Sequence, residues 1–278
     1  MFMKIIVEPL AGLANKLRVI ESAVSLSKDM NGSTQVNWIT DWQMRAAYHE
    51  LFEPSEYFTV TRSGKYKFCR SSFSLKGFKK PLANIINRVS GIDMAFNDVD
   101  IAAHVRPGEW DIRSLIQNRK NIYIHSCHDF YPYRFRFSWV KPLSHINEAI
   151  TAFASKMIPD NTIGLHLRRT DNAASSSLSP DKLFEEVIEL EIKKNERVVF
   201  FLATDNAATE KHFISKFGTE RILAFPKKFG RESVAAIQDA LADWVLLGKC
   251  KKLYCSYWSS FSETAAAVTN GEAIVLKL

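Results

Sequence analysis

Cysteine is scarce in this chain, with four residues among 278. Cys69, Cys127, Cys250 and Cys255 are too few and too scattered for a disulfide framework, and no Cys-x-x-Cys pair occurs. Cys250 and Cys255 could form half of a metal site, but no matching His or Cys pair follows them. We therefore interpret all four as reduced packing residues and expect no bound metal.

Long apolar runs are also lacking. The longest wholly apolar run covers residues 198–203, far below the roughly 18 residues that a membrane-spanning helix needs. The first residues do not show the basic and apolar regions of a signal peptide. The sequence therefore predicts a cytoplasmic protein.

Basic residues are in excess, with 37 Lys and Arg against 30 Asp and Glu, which gives a net charge of +7. This favours an anionic partner, which could be a nucleotide, an acidic glycan, a membrane surface or a nucleic acid. Basic pairs such as Lys79-Lys80 and Lys227-Lys228 are spread along the chain, and we interpret them as solvated ends of elements. We therefore expect no nucleic-acid partner and leave peripheral contact with a membrane surface open.

The second half of the chain alternates apolar strand patterns with helical patterns, which predicts a parallel sheet. One helix should have Ser179 as its N-cap, Pro180 at its first position, and Leu183, Val187 and Leu190 on its apolar stripe. A later helix should begin with a capping box of Ser260 and Glu263. The predicted strands are residues 162–168, 197–203, 221–225, 252–256 and 272–276.

The first half begins in the same way, with a strand at residues 3–7 and a helix that carries Leu13, Leu17, Ile20 and Val24 at helical spacing. Further strands are predicted at residues 35–39 and 122–126, whereas residues 52–110 show no regular pattern. Residues 131–142 are predicted to cross between lobes. At this length, two Rossmann-like α/β lobes are expected, at residues 1–140 and 141–278.

Polar residues gather where three of the predicted strands end. In residues 162–168, His166 and Arg168 share one face of the strand, which then runs into Arg169 and Asp171. The next strand ends at Asp205, and the fourth ends at a Ser-rich helix start. Each piece alone could be a surface ion pair, a turn residue or a helix cap. Ligands of open α/β sheets bind outside the carboxyl ends of strands, so the convergence favours an anion or nucleotide site.

Four segments resemble motifs of the fucosyltransferase superfamily, which includes the rhizobial nodulation fucosyltransferase, α1,6-fucosyltransferases and protein O-fucosyltransferases. His166-Leu-Arg168-Arg169-Thr-Asp171 resembles the first motif of that family, and Phe201-Leu-Ala-Thr204-Asp205 the second. Residues 255–265 resemble the Ser-rich third motif, and Gly12-Leu-Ala-Asn15-Lys-Leu-Arg18 the turn that opens the acceptor lobe.

The resemblance implies a GT-B fold of two Rossmann-like lobes with a cleft between them. It implies an inverting, metal-independent transfer of a sugar, with fucose the first candidate, from a GDP-sugar to a glycan acceptor, without a cofactor. Residues 1–140 would be the acceptor side and residues 141–278 the donor side. Arg168, holding the β-phosphate, and Asn15 would be catalytic. The residues implied to bind the substrate or the donor are His166, Arg169, Asp171, Asp205, Ser259, Ser260, Ser262, Gly12 and Arg18.

Several alternatives stay open. The Asp98-Val-Asp100 pair has the form of a metal-binding Asp-x-Asp motif, but it lies outside the C-terminal constellation and we interpret it as accidental. The carboxylate that α1,6-fucosylating members carry after the first motif is missing, so Glu8, Asp41 and Asp111 are equal candidates for a general base. A transferase that uses GDP-mannose, or a binding module that has lost catalysis, would carry the same motifs.

Overall fold

The computed structural model describes residues 2–73, 79–158, 161–170 and 173–278, which form an α/β fold with two five-stranded parallel sheets. Contacts divide the chain into two units. Unit 1 comprises Met1–His49 and Glu53–Lys141, and unit 2 comprises Glu50–Phe52 and Pro142–Leu278. None of the helices described is long and apolar enough to cross a membrane.

The sheet of unit 1 has the strand order β3-β2-β1-β5-β4, with β1 in the centre. Ile5 and Val7 of β1 are fully buried, as expected of a central strand that helices cover on both faces. The strands are β1 (Lys4–Pro9), β2 (Ser33–Asn37), β3 (Phe58–Thr61), β4 (Met94–Phe96) and β5 (Asn121–Ser126), and the helices are α1 (Leu13–Asp29), α2 (Lys79–Val89), α3 (Asp98–Asp100) and α4 (Ile112–Ile116).

Helix α1 is buried along most of its length, which confirms its predicted apolar stripe of Leu13, Leu17, Ile20 and Val24. Its polar face is buried as well, and Glu21 is 0% exposed. A carboxylate in such a place needs hydrogen-bond donors, since an unpaired buried charge costs several kcal/mol.

Glu21 finds its donors in residues 135–139. Its Oε1 accepts from the backbone N of Phe135 at 2.9 Å, and its Oε2 accepts from the backbone N of Phe137 at 3.0 Å and from Trp139 Nε1 at 2.7 Å. Most of the segment predicted as a crossing is thus anchored within unit 1, and the chain enters unit 2 at Pro142.

Residues 52–110, which show no regular sequence pattern, contain β3, α2, β4 and α3. A 3₁₀ turn at Gly64–Tyr66 and a π-helical turn at Ile101–Val105 lie in the same stretch, and a further 3₁₀ turn at Tyr48–Glu50 precedes it. The Asp98-Val-Asp100 segment is α3, in which Asp100 and Asn97 form a reciprocal capping box. Asp100 therefore has a structural role, which agrees with an accidental Asp-x-Asp match.

The sheet of unit 2 has the order β10-β9-β6-β7-β8, and all six residues of β6 and of β7 are buried. Gly164 of β6 lets its neighbours pack closely, since an added Cβ would lie 3.0 Å from a Leu253 side-chain atom and 3.1 Å from one of Leu247. The strands are β6 (Thr162–Leu167), β7 (Val199–Thr204), β8 (Ile222–Leu223), β9 (Lys252–Ser256) and β10 (Glu272–Leu276), and the helices are α5 (Ser144–Ala154), α6 (Ala173–Leu178), α7 (Asp181–Lys194), α8 (Ala207–Phe217), α9 (Val234–Leu247) and α10 (Ser260–Thr269).

The predicted start of α7 is wrong. Its N-cap is Pro180, because the Ser179 hydroxyl is used elsewhere: it donates to the backbone O of Leu276 at 2.5 Å and accepts from the backbone N of Tyr257 at 2.8 Å. The helix buries Phe184 and Ile188, whereas Leu183 and Val187 of the predicted stripe are half-buried and Leu190 is 48% exposed.

Candidate functional site

The carboxyl end of β6 lies between those of β7 and β9 and carries the Arg168-Arg169-Thr170 loop. Arg168 donates its backbone N–H to Ser256 Oγ of β9 at 3.2 Å, and its backbone O accepts from Arg169 Nη1 at 3.0 Å. Arg168 is half-buried. Contacts of the Arg168 backbone at the strand ends therefore help to fix the loop that bears it.

Asp205, directly after β7, holds the same loop from the other side. Its Oδ1 accepts from the backbone N of Arg169 at 2.7 Å. Its Oδ2 accepts from the Thr170 hydroxyl at 2.7 Å and from the Thr170 backbone N at 3.3 Å. Both oxygens thus serve the loop, so Asp205 positions it, and the direct binding role implied for Asp205 stays a prediction.

Arg169 is committed to the frame of the site. Its guanidinium donates to Asp181 Oδ1 from Nη2 at 2.6 Å and from Nε at 2.9 Å, and it lies over the ring of Phe184 with 5.6 Å to the centroid. Its Nη1 also reaches Ser256 Oγ at 3.3 Å. Arg169 therefore ties the start of α7 to the ends of β6 and β9, and the binding role implied for it stays a prediction.

His166 is buried beneath the loop, with 7% of its surface exposed. Its ring stacks on Phe261 with centroids 5.0 Å apart, and its Nδ1 lies 3.4 Å from Ser259 Oγ. Burial, aided by the cationic Arg168, Lys227 and Arg169 and opposed by Asp205, lowers the pKa of His166 to about 3. The imidazole is consequently neutral at physiological pH.

The Ser-rich segment starts α10, but the predicted capping box of Ser260 and Glu263 is wrong. Ser259 is the N-cap, and because its hydroxyl faces His166 it makes no side-chain cap. Ser262 is buried and donates to the backbone O of Ser259 at 3.2 Å. A helix of ten residues therefore presents its uncapped amino end beside the β6 loop, the arrangement that favours an anion.

Asp171, the last residue of the first motif, lies outside the described residues, as does Asn172. Its implied role at the donor site stays a prediction.

Lys227 contributes a buried charge to unit 2 that the sequence did not indicate. Its ammonium lies 2.6 Å from Asp243 Oδ2 and 3.3 Å from Glu210 Oε2, and the side chain is 4% exposed. The interpretation of Lys227-Lys228 as a solvated pair is therefore wrong for Lys227. Its two carboxylate partners outweigh the effect of burial and raise the pKa of the ammonium, so Lys227 is charged.

In unit 1, the turn between β1 and α1 contains an unusual backbone and an open space. Ala11 has φ of 62°, in the left-handed region that non-glycine residues rarely adopt. Gly12 has an ordinary φ of −73°, and nothing lies within 4 Å of a Cβ added there. Gly12 is thus required neither by backbone geometry nor by packing, and it leaves room above the amino end of α1.

Asn15, one turn into α1, has a side-chain carbonyl oxygen that is buried without a hydrogen-bond donor among the described residues. Buried acceptors of this kind are rare, since leaving one unsatisfied costs about 1–3 kcal/mol. A ligand hydroxyl would satisfy Asn15 Oδ1. This is the physical feature that makes Asn15 a site candidate.

Arg18 faces the loop after β5. Its Nε donates to the backbone O of Cys127 at 2.6 Å, and its Nη1 lies 3.7 Å from Asp129 Oδ1, which Arg106 also approaches at 3.2 Å. These contacts fix the loop against α1. The substrate or donor contact implied for Arg18 stays a prediction.

Three neighbouring strands of unit 1 carry a row of polar side chains that sequence reasoning found only in part. Asn37, Glu8 and His125 stand side by side on β2, β1 and β5. Asn37 Nδ2 donates to Glu8 Oε2 at 2.6 Å, and His125 Nε2 lies 3.5 Å from Glu8 Oε1. Burial lowers the pKa of His125, against the opposing effect of Glu8 and Asp98. Only the strand register reveals this row.

Of the three candidate bases, Glu8 alone belongs to such a row. Asp41 accepts from the backbone N of Gln43 at 2.7 Å and of Met44 at 3.0 Å, and so closes a turn. Asp111 is exposed and caps α4, with its Oδ2 accepting from Ser114 Oγ at 2.5 Å.

Potential metal ligands of Asp98, Cys127 and His128 lie within 4.8 Å of one another in the same unit. Arg18 Nη2 lies 3.4 Å from His128 Nδ1. Because arginine can only donate, this contact puts the imidazole proton on Nε2, the atom 3.8 Å from Asp98 Oδ2. Burial raises the pKa of the Cys127 thiol to about 11, and Asp98 Oδ1 already accepts from Ser126 Oγ at 2.7 Å. The contacts favour a hydrogen-bonded loop support over a metal centre.

The chain has an α/β fold of two parallel five-stranded sheets with interleaved helices, and polar side chains lie at the carboxyl ends of the central strands. Solved sugar-transferring enzymes share this fold. The NodZ α-1,6-fucosyltransferase soaked with GDP-fucose matches with a TM-score of 0.62 and 18% identity, over 96% of this chain and 93% of that one. POFUT1 in complex with GDP matches with a TM-score of 0.57 and 11% identity, over 99% and 98%.

A variant of Arabidopsis thaliana FUT1 in complex with GDP matches with a TM-score of 0.64 and 12% identity, over 99% of this chain and 70% of that one. No family model matches the chain, and no curated protein matches its sequence. At these identities the likeness shows the fold alone, and this chain shares that fold with the solved fucosyltransferases.

Proposed function

We propose that the protein is a glycosyltransferase that moves a sugar, fucose in the first instance, from a GDP-sugar to a glycan acceptor, by an inverting reaction that needs no metal. The observation that carries the proposal is the edge of unit 2 where the β6 loop, Asp205 and the amino end of α10 meet. The proposal includes a GT-B arrangement, with residues 141–278 on the donor side and residues 1–140 on the acceptor side.

The donor side would work by electrostatics. When the bond between the sugar and the β-phosphate breaks, negative charge grows on the departing GDP. Arg168 and the uncapped amino end of α10 would stabilise that charge, the task that a divalent cation performs in metal-dependent enzymes. Asp205 and Arg169 support this assignment indirectly, because they fix the loop that carries Arg168.

On the acceptor side, Asn15 Oδ1 would accept from a sugar hydroxyl, and the Glu8–His125 pair would take up the acceptor proton. With its Nε2–H directed at Glu8, the neutral imidazole of His125 keeps Nδ1 as a proton acceptor. The acceptor oxygen would bond to the anomeric carbon as the bond to phosphate breaks, and its proton would pass to His125 Nδ1. A single displacement of this kind inverts the anomeric carbon.

Ligand-dependent thermal stability tests the donor assignment. GDP and GDP-fucose should raise Tm equally in magnesium and in EDTA, whereas UDP and ADP should not, and a ligand at a hundred times its Kd should add about 2.7 kcal/mol. Arg168→Ala should abolish the shift. Arg197→Ala, at an exposed arginine in the same unit, is the matched control. Absence of any guanine-nucleotide shift would overturn the proposal, and a larger shift with GDP-mannose would change the sugar.

Transfer of labelled fucose to a panel of oligosaccharides tests the acceptor side. Glu8→Gln and His125→Asn should lower kcat at least tenfold while the GDP shift of Tm is kept. Asp111→Asn, at the exposed helix cap, should leave kcat unchanged. A Glu8 variant with full activity would exclude this pair as the base.

A further inference from the structure

Helix α2 of unit 1 presents its apolar side chains outward. Leu82, Ile85 and Val89 are 57%, 59% and 83% exposed, whereas Ala83 and Asn87 on the opposite face are 3% and 2% exposed. A helix that packs for its own stability buries its large aliphatic residues. The spacing of three and four residues places Leu82, Ile85 and Val89 on one stripe, so the exposed apolar surface is continuous along the helix.

The inward face of α2 is polar because it holds a neighbouring loop. Asn87 Oδ1 accepts from the backbone N of Arg70 at 3.0 Å, and Asn87 Nδ2 donates to the backbone O of Arg70 at 2.8 Å. Ser90 Oγ donates to the backbone O of Lys65 at 3.4 Å. The loop and the helix therefore form one surface, and the loop adds Phe68, which is 60% exposed.

This surface lies in a stretch that contains no acidic residue. Residues 57–92 include eight Lys or Arg and no Asp or Glu, more than the whole net charge of +7. Five of the eight are described with exposed side chains: Arg62, Lys65, Lys67, Arg70 and Arg88. The exposed aliphatic residues thus belong to a stretch of chain in which every formally charged residue is basic.

We propose that α2 with the loop 65–70 docks the protein onto an anionic lipid surface. A basic surface with outward Leu, Ile and Val is the pattern of helices that lie in the plane of a membrane interface, with the aliphatic side chains among the acyl chains and the cations among the headgroups. A nucleic acid would use the cations but would leave Leu82, Ile85 and Val89 in water. A second copy of this chain would bring a surface of the same charge. The inference does not depend on the transferase reaction.

Vesicle flotation of the full chain tests the proposal. Phosphatidylcholine vesicles that contain phosphatidylglycerol should bind the protein, pure phosphatidylcholine should bind it weakly, and raising the salt from 0.1 to 1 M should reduce binding, as the Debye length falls from about 10 to about 3 Å. The combined variant Leu82→Gln, Ile85→Gln and Val89→Gln should lower the partition coefficient at least about tenfold. The control is Val99→Gln, Leu190→Gln and Leu278→Gln, which removes three exposed apolar side chains elsewhere and should change it less than about twofold.

A second variant isolates the charges. Lys67→Gln with Arg88→Gln should weaken binding about thirtyfold, at about fivefold for each cation near an anionic surface. The control, Lys211→Gln with Lys249→Gln, removes two exposed lysines of unit 2 and should bind as the wild type does. Equal binding to both vesicle types, or wild-type binding by the aliphatic variant, would overturn the proposal. So would tight binding to an oligonucleotide or to polyglutamate without binding to vesicles.

Discussion

Acid should destabilise the protein through His166, and the effect can be isolated by one substitution. Because burial holds the pKa of His166 at about 3 in the folded protein, against about 6.5 in an unfolded chain, the unfolded chain binds one more proton between these values. Folding stability is then fully present above pH 6.5 and falls as the pH decreases, by about 1.4 kcal/mol for each pH unit. Between pH 6.5 and 4, His166 alone should remove about 3 kcal/mol.

The test compares wild type with His166→Asn by urea unfolding at several pH values from 8 to 4, followed by tryptophan fluorescence. The substitution itself costs stability, because it removes the stacking on Phe261, but that cost is common to every pH and drops out of the slope. The wild type should lose about 3 kcal/mol more than the variant between pH 6.5 and 4. His145→Gln, at an exposed histidine on α5, should follow the wild-type profile.

Parallel profiles for wild type and His166→Asn, within about 0.5 kcal/mol, would refute the reasoning. They would mean that His166 accepts a proton without leaving its place, so that burial does not keep it neutral. Other histidines, including His125, are present in both proteins and do not contribute to the difference.

Three further predictions follow from single contacts. Gly12→Ala should leave the free energy of unfolding within about 1 kcal/mol of wild type, since an added Cβ meets nothing. Loss of sugar transfer in this folded variant would mean that a ligand fills the open space at Gly12, and retained transfer would exclude that use. Glu21→Ala should lower the free energy of unfolding by roughly 3 kcal/mol or more, because three donors of residues 135–139 lose their acceptor; a urea titration that shows less than about 1 kcal/mol would contradict it. Asp205→Asn should cost about 1–3 kcal/mol of stability and abolish the GDP-dependent rise in Tm, because its amide would face the Thr170 donors; an unchanged GDP shift would contradict a positioning role.

Much of the fold follows from sequence periodicity. The strands at residues 252–256 and 272–276 are confirmed to the residue, and the buried stripe of α1 is confirmed at each predicted position. These elements are predictable because local apolar patterns and burial agree in them. The irregular pattern of residues 52–110 has a physical origin in α2. The large aliphatic residues of a helix usually face the core, whereas those of α2 point outward.

The candidate site could be predicted where a polar residue interrupts the apolar pattern of a buried strand, as at His166. It could not be predicted where a side chain serves a distant partner. Ser179 looks like a helix cap but bonds to Leu276 and Tyr257, and Lys227 looks solvated but is paired with Asp243. The Asn37–Glu8–His125 row depends on which strands are neighbours, which no local pattern encodes.

The hydrogen bonds of Glu21 also set an order of events during synthesis of the chain. The carboxylate is made 118 residues before Trp139, its last donor, an interval of roughly 6 to 24 s at about 5–20 residues per second on a ribosome. During that time α1 can form, but the Glu21 side chain has no hydrogen-bond donor from residues 135–139. Glu21 therefore gains its last donor only when the end of unit 1 has been synthesised, shortly before the first residues of α5 are added.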